Sequence, residues 1–459
     1  MSNTINIGRK DVMWNYAATF LQVGVGVILL PFILRVFPTE TVAIWTIFTT
    51  IMALTGLLDF GFNPSFARNV SYVVSGVKEL KTTGYNIVES HNSEIDYSLF
   101  KGLINAMKWF YARVSVILFL LLATAGTYYM HTVLKTYSGS HTEVYIAWAI
   151  LVAINSYSLY TMYYDSLMQG KGLIKRSKQI QIVGQSVYLV VAVALILLRF
   201  NLIAIVSAQA LSIIIRRILA YRTIYTVEFR RLLKIVPARA KRDFVRPIMP
   251  NAVRMGLHFL FTFIAIKSMI LVGSLFFPLE KMASYGITVN IIGIISGLAS
   301  VFYASYIPQF SAFFVQGNIA GVKSVYQKST LMLFAVFFAC GALLLLAGDW
   351  AFSVVHSKTS LLPKLYVFIA LLVECHYAYV CLIGTIASTK NEVPFLPVTI
   401  AVGVLNISLL FLSVYFTDVG ILALVLIPAT NLLNWIWMRK VLKSIKNEKN
   451  NRKDNSLCK

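Results

Sequence analysis

The sequence predicts an all-α polytopic membrane protein, with about twelve transmembrane helices in two parallel six-helix lobes around a central cavity. Three observations support this fold class: an apolar composition, a series of long apolar segments and an internal duplication. The 459 residues are 58% hydrophobic and 13% charged, with a mean hydropathy of +0.74. Soluble chains carry roughly a quarter charged residues, so this composition excludes soluble domains, disordered chains and disulfide scaffolds.

Long apolar segments follow one another along most of the chain. A bilayer core about 30 Å thick requires about 20 apolar residues per helix. A transmembrane β-barrel would instead show short alternating segments of about ten residues, so it is excluded. The predicted spans are 12–36, 41–62, 108–130, 144–167, 181–199, 202–221, 251–277, 283–306, 329–350, 364–388, 394–416 and 418–438.

Basic residues are distributed unevenly between the loops. The chain has 41 Lys and Arg against 18 Asp and Glu, a formal net charge of +23. With the amino terminus inside, about 34 of the basic residues fall on the cytoplasmic side and Lys267 falls mid-membrane. The six that fall outside are Arg35, Lys135, Arg199, Lys281, Lys358 and Lys364. This positive-inside pattern predicts a multi-pass protein with both termini in the cytoplasm, and it explains the basic charge without a nucleic-acid partner.

Two junctions between predicted helices carry the same residue pattern. Residues 37–47 and 277–287 share F-P-x-E-x-x-A-x-aromatic-x-I, at the same place in each half of the chain. Because each half has six spans, both halves enter the membrane in the same orientation, as in alternating-access transporters. The expected divisions are an amino-terminal lobe, 1–221, a basic cytoplasmic linker, 222–250, a carboxy-terminal lobe, 251–438, and a basic cytoplasmic tail, 439–459.

Charged residues within a span are candidates for function, since a charge at a helix centre costs about 2.5–3.5 kcal/mol on insertion scales. Lys267 lies in the middle of the seventh span, where it suits either an anionic ligand or a structural ion pair. Arg254 and His258 lie nearer the cytoplasmic end of that span, and a guanidinium offers a bidentate fork to phosphate. Glu374, in the tenth span, is a candidate for proton or sodium coupling and equally the counter-ion of Lys267.

Polar residues also form stripes on two helices of the amino-terminal lobe. Asn15 and Gln22 share a stripe on the first span, and Asn155 and Asp165 share one on the fourth. These groups suit the binding of sugar hydroxyls. They equally suit helix packing, to which each would contribute about 0.6 kcal/mol.

Asp59 and Arg68 lie at the cytoplasmic end of the second span, where they suit either a gate or a plain helix-end ion pair. Asp165 joins them as a coupling or gating candidate. No catalytic residue is predicted, because P-loop, nucleophile-elbow and H-E-x-x-H patterns do not occur on the cytoplasmic loops. Nothing in the sequence requires a metal or an organic cofactor, so a transporter is expected and an enzyme is not.

Several short motifs in the sequence resemble those of a known family. They are R-K-D-V-M-W-N-Y-A-A-T-F at 9–20, L-L-D-F-G-F-N-P at 57–64, Q-G-K-G at 169–172 and the stretch from 285 through Y-I-P-Q-F-S at 306–311 to Gly317-Asn318. By these motifs the sequence is similar to the polysaccharide-transporter branch of the multidrug/oligosaccharidyl-lipid/polysaccharide exporter superfamily. It departs from that family in the turn after the first helix, where Phe37-Pro38-Thr39 replaces a Gly-rich turn.

The resemblance implies a bacterial inner-membrane flippase of the O-antigen unit (Wzx) type. Such proteins move undecaprenyl-diphosphate-linked oligosaccharides to the periplasmic leaflet for surface polysaccharide, O-antigen of lipopolysaccharide or capsule. The implied partners are this lipid-linked oligosaccharide, membrane lipids, a polysaccharide polymerase and a chain-length regulator. The family's cationic cavity, which accepts the diphosphate, corresponds here to Lys267 and Arg254.

Two alternatives to the flippase remain open. The first is an ion-coupled multidrug exporter of the same superfamily, whose organic cations would prefer a cavity dominated by carboxylates. The second is an integral membrane enzyme acting on polyprenyl-linked sugars, which would need charged residues gathered on one loop. The cations of the seventh span outnumber Glu374, which favours the flippase.

Overall fold

The computed structural model is all-helical over the part of the chain that it describes. No β-strand occurs in that part, which confirms the predicted all-α class. The described residues are 9–57, 59, 62–74, 76, 95–238, 242–306, 319–388, 395–415 and 420–443.

Sixteen α-helices are defined in the described part of the chain. A π-helical turn, Leu122–Gly126, joins α4 to α5, and a 3-10 helix, Ile427–Asn434, follows α16 and leads into helical residues 435–443. The α-helices are α1 (Arg9–Val36), α2 (Thr39–Leu57), α3 (Phe62–Val74), α4 (Tyr97–Leu121), α5 (Thr127–Leu134), α6 (His141–Tyr160), α7 (Tyr163–Gly170), α8 (Ile174–Leu197), α9 (Asn201–Ile224), α10 (Val227–Ile235), α11 (Arg242–Phe276), α12 (Leu279–Ser305), α13 (Ile319–Val354), α14 (Lys364–Ser388), α15 (Leu396–Tyr415) and α16 (Gly420–Leu426).

Among the described residues, eleven helical segments are long and apolar enough to cross a bilayer, and each overlaps one predicted span. The predicted span 41–62 was too long. Its helix, α2, ends at Leu57. Asp59 accounts for the break, because its carboxylate accepts hydrogen bonds from the backbone N–H of Asn63 at 3.1 and 3.0 Å. Such a side-chain bond to the first turn starts a new helix, α3.

The fourth helix shows how the apolar residues are used. Leu103, Met107 and Tyr111 recur at intervals of four and are fully buried, whereas Val116 and Leu120 are exposed. Side chains four apart lie on one face of a helix, so α4 packs one face against its unit and turns large apolar side chains outward. Exposed apolar surface of this extent is typical of a membrane-facing helix.

The chain divides into two compact units. The amino-terminal unit comprises Met1–Val36 and Phe48–Phe259, and the carboxy-terminal unit comprises Phe37–Ile47 and Leu260–Lys459. The start of α2 therefore belongs to the carboxy-terminal unit, together with the second copy of the repeated pattern.

Both copies of the repeated pattern begin a helix in the same way. The N–H four residues after each proline donates to the proline carbonyl, at 3.1 Å for both Pro38 and Pro278. The two copies pack against each other at equivalent positions, Thr46 and Gly286. A Cβ atom at Gly286 would lie 2.6 Å from the Thr46 Oγ1 atom, so the contact requires glycine.

Candidate functional site

A partly buried ion pair links α7 to α9 in the amino-terminal unit. Arg217 Nη1 donates to Asp165 Oδ2 at 2.9 Å, and the two side chains are 9% and 33% exposed. Arg217 Nη2 also donates to the backbone carbonyl of Ser158 at 3.4 Å. That carbonyl lies where α6 ends, two residues before its last residue, so the break between α6 and α7 supplies one acceptor.

A cavity of about 220 Å³ lies beside this ion pair, between α3, α7, α8 and α9. Three cations, Lys178, Arg216 and Arg217, line it together with one carboxylate, Asp165. The neutral polar side chains in its wall are Asn63, Gln169, Ser177 and Gln181. The cavity therefore combines a polar wall with an excess of positive charge.

Arg216 is held differently from its neighbour Arg217. Its Nε atom is buried and has no hydrogen-bond partner among the described residues. The methylene stem crosses α8 at Gly184, where a Cβ atom would lie 2.4 Å from both Cγ and Cδ of Arg216. Ser212 Oγ donates to the Gly184 carbonyl at 2.8 Å and ties the two helices together at this point. Glycine at 184 thus lets the arginine stem lie against the backbone of α8.

One of the residues predicted to bind sugars, Gln22, is hydrogen-bonded to a residue of the cavity wall. Gln181 Nε2 donates to Gln22 Oε1 at 3.0 Å, and Lys178 Nζ donates to Gln181 Oε1 at 3.3 Å. The structure therefore brings two predicted site residues, Gln22 and Asp165, to one neighbourhood.

Asp59 is the centre of a second polar group in the same unit. The hydroxyl of Tyr111 donates to Asp59 Oδ1 at 2.5 Å, and Ser166 Oγ donates to Asn63 Oδ1 at 2.5 Å. Asp59 lies between α2 and α3, outside the apolar spans. Burial raises its pKa from 3.8 to about 6, against the hydrogen bonds from Tyr111 and Asn63, and the charge of Asp165 adds to the rise.

The remaining predicted residues of this unit are less connected. Asn155 is buried, and its Nδ2 atom has no hydrogen-bond partner within the described part of the chain. His258, near the end of the unit, has its ring 5.6 Å from that of Phe259. The side chains of Asn15, Arg68 and Arg254 lie outside the described residues.

In the carboxy-terminal unit, Lys267 on α11 and Glu374 on α14 lie close enough for their opposite charges to attract each other. Asn406 Nδ2 donates at 2.7 Å to the carbonyl of Ala265, two residues before Lys267, and so fixes this stretch of α11. The interpretation of Glu374 as the counter-ion of Lys267 stays a prediction, as does its interpretation as an ion-coupling group.

Sequence reasoning missed Arg216 and Arg217. It counted them with the cytoplasmic charges, although both fall inside the predicted span 202–221, and two adjacent cations in an apolar span were the available signal. Tyr111 offered no signal, because a tyrosine in an apolar span is ordinary. No group of three or more His, Cys, Asp or Glu suited to a metal ion occurs among the described residues.

The sequence matches no protein-family model and no curated protein. Solved structures are nevertheless similar over nearly the whole chain. An inward-facing multidrug resistance MATE family transporter of the MOP superfamily is 14% identical, with a TM-score of 0.60 and 96% of each chain covered. The outward-facing conformation of such a transporter is also 14% identical, with a TM-score of 0.56 and 95% of this chain and 96% of that chain covered.

A third similar structure is a MOP superfamily transporter from Pyrococcus furiosus, described as having a reverse polarity of its binding pocket that suggests a different function. It is 15% identical, with a TM-score of 0.61 and 97% of this chain and 98% of that chain covered. At these identities the likeness concerns the fold, so this protein is a multi-pass membrane protein with a MATE-like transporter fold.

Proposed function

We propose that the protein is an alternating-access flippase that translocates undecaprenyl-diphosphate-linked oligosaccharide units across the bacterial inner membrane for O-antigen or capsule biosynthesis. The fold supports the transporter class, since its relatives of known structure are transporters in inward-facing and outward-facing conformations. The flippase substrate is our inference from charge and from the sequence resemblance.

The observation that carries this proposal is the cationic cavity of the amino-terminal unit. Three cations and one carboxylate line it, and its remaining polar wall offers hydroxyl and amide groups. A site of this charge favours an anionic headgroup and disfavours an organic cation. Moving a diphosphate and several sugars through hydrocarbon is prohibitive, so the headgroup needs a polar route while the prenyl tail stays in lipid.

In the proposed mechanism, two lobes, 1–221 and 251–438, rock about the linker 222–250. Each group of candidate residues then has a separate task. Lys267 and Arg254 neutralise the diphosphate, and His258 is a further substrate-binding candidate. The candidates for binding sugar hydroxyls are Asn15, Gln22 and Asn155. The candidates for coupling ions or gating the cavity are Glu374, Asp59, Arg68 and Asp165.

An ion-coupled multidrug exporter is the second candidate function. The names of the similar structures favour it, because two of them are multidrug resistance transporters. The buried carboxylates Asp59 and Glu374 would supply its coupling groups. The cation excess in the amino-terminal cavity argues against it.

Deletion of the gene separates the two candidates. If the protein is the flippase, the deletion strain loses long-chain surface polysaccharide and accumulates lipid-linked repeat units on the cytoplasmic side. A plasmid copy should restore both. Intact polysaccharide together with altered sensitivity to cationic drugs would contradict the flippase and assign the exporter function.

A further inference from the structure

We propose that the cavity of the amino-terminal unit is a phosphate subsite and that Arg216 is its principal binding group. The ligand class is a phosphate oxyanion, bound directly by protein cations. The inference rests on the proposed function only for the identity of the molecule that carries the phosphate. The charges and shape of the cavity alone indicate a phosphate site.

The charges of the cavity are not balanced within it. Arg217 is already engaged, since it donates to Asp165 at 2.9 Å and to the Ser158 carbonyl at 3.4 Å. Asp165 is the one carboxylate among the described residues of the cavity wall, and its charge acts on all three cations. The three cations exceed it by two positive charges, which an anion would balance.

The hydrogen bonding of Arg216 also indicates an anion site. A guanidinium carries five N–H donors in a planar fork that matches phosphate oxygens in pairs. The Nε atom of Arg216 is buried with no acceptor among the described residues. Leaving a buried charged donor without an acceptor is unfavourable, so the described part of the protein does not itself satisfy this guanidinium, and Arg216 lines the cavity in which a phosphate would lie.

Neighbouring residues fix the path of the Arg216 side chain. Gly184 lets the methylene stem of Arg216 lie against α8, because any larger residue would put a Cβ atom 2.4 Å from Cγ and Cδ. Lys178 keeps two further N–H donors beyond its 3.3 Å bond to Gln181. The cavity, about 220 Å³, has room for several groups of the size of a water molecule, each of which occupies about 30 Å³ in the liquid.

Binding of inorganic pyrophosphate to the purified full-length protein in neutral detergent tests the subsite. Arg216→Gln should weaken the affinity about tenfold or more, because charge-assisted bidentate bonds are lost. Arg216→Lys, which keeps the charge without the fork, and Gly184→Ala, which keeps the charge but displaces the stem, should each weaken it less. Arg176→Gln is the matched control, since Arg176 is an exposed arginine of α8 bonded at 3.4 Å to Gln179, and it should bind as the wild type does.

Two results would overturn the subsite. One is no pyrophosphate binding by the wild type, and the other is equal affinity of Arg216→Gln and Arg176→Gln when both unfold at the wild-type temperature. Neither result bears on the deletion phenotype, so failure of the subsite and failure of the flippase are distinguishable.

Competition in lipid nanodiscs identifies the source of the phosphate. Displacement of pyrophosphate by a polyprenyl-diphosphate lipid, but not by phosphatidylglycerol, supports the subsite as part of the flippase route. Displacement by phosphatidylglycerol alone supports a phosphate subsite for membrane lipid and contradicts its place on that route. Displacement by neither lipid, with pyrophosphate still bound through Arg216, supports a subsite for a free phosphate anion.

Discussion

The two units treat the charges within their helices differently. In the carboxy-terminal unit one cation, Lys267, and one carboxylate, Glu374, attract each other. In the amino-terminal unit Asp165 is in direct contact with Arg217, and Arg216 lies beside them with a buried donor that has no partner among the described residues. An opposite charge within the same unit therefore does not by itself decide whether a cation in a span is structural or binds a ligand, so Lys267 and Arg216 need separate tests.

The largest expected effect concerns Lys267. We expect Lys267→Ala to abolish surface polysaccharide while the protein level stays unchanged, because the ammonium neutralises the diphosphate in the proposed mechanism. The double variant Lys267→Ala with Glu374→Gln removes both charges of the pair and should stay inactive. Surface polysaccharide and protein level in the membrane fraction are the measurements.

Two outcomes would contradict the assigned role of Lys267 or change the comparison between the two units. Normal polysaccharide in Lys267→Ala would contradict a role of Lys267 in transport. Recovery in the double variant alone would assign Lys267 to charge balance, since removing one partner of a buried pair leaves the other charge uncompensated.

Asp59 should make the stability of the amino-terminal unit depend on pH. Burial raises its pKa from 3.8 to about 6, so its contribution is fully present below about pH 4 and is lost as the pH rises through about 6. A shift of this size corresponds to about 2–3 kcal/mol. The difference in unfolding free energy between the wild type and Asp59→Asn, measured from pH 4 to 7, isolates this contribution.

Tyr111→Phe is the control for that measurement. The hydroxyl of Tyr111 lowers the pKa of Asp59, so its removal should move the transition to higher pH. A wild-type curve parallel to that of Asp59→Asn over the whole range would show that Asp59 does not titrate there.

Breaking the ion pair of Arg217 and Asp165 should lower the unfolding free energy more than breaking an exposed ion pair of the carboxy-terminal unit. Breaking a fully buried pair costs about 3–5 kcal/mol, and we expect about 2 kcal/mol for Arg217→Met because Asp165 is one-third exposed. Lys364 and Asp349, 3.5 Å apart and both well exposed, provide the comparison, for which Lys364→Met should cost about 0–1 kcal/mol. Equal losses of thermal stability in the two variants would contradict the difference in burial.

The smallest expected effect is the difference in unfolding free energy between two variants, each of which removes one cation–π contact. Lys171 Nζ lies 3.6 Å from the ring centroid of Phe229, and burial lowers the pKa of Lys171 to about 8. Arg439 lies 5.6 Å from the ring of Trp435, and both side chains are exposed. We expect Phe229→Leu to cost about 1–2 kcal/mol and Trp435→Leu about 0.5 kcal/mol in unfolding free energy. A larger loss for Trp435→Leu would reverse the order.

Helix positions were predictable because they depend on residues close together in the chain. Runs of apolar side chains indicated eleven spans that the structure contains, and the error at 41–62 has a particular cause. The carboxylate of Asp59 bonds to Asn63 and to Tyr111, and the second of these contacts joins residues 52 positions apart. A hydropathy pattern carries no information on such a contact.

The candidate site was predictable only in part. Polar stripes named Gln22 and Asp165, yet the partner of Gln22 is Gln181, 159 positions away, and Asp165 pairs with Arg217, 52 positions away. The repeated pattern likewise identified Thr46 and Gly286 as equivalent, whereas their contact is visible only in the structure.

Composition and periodicity alone established an all-helical, multi-pass membrane protein with a duplicated pattern, because apolar length and helix period are local properties of the chain. The pairing of its charges depended on folding. Hydrogen bonds and direct ion pairs form only between groups within about 3–4 Å of each other, so whether Arg216, Arg217 or Lys267 has such a partner depends on which helices become neighbours. That arrangement pairs Arg217 with Asp165, places Arg216 in the wall of a cavity and leaves its buried Nε atom without an acceptor among the described residues.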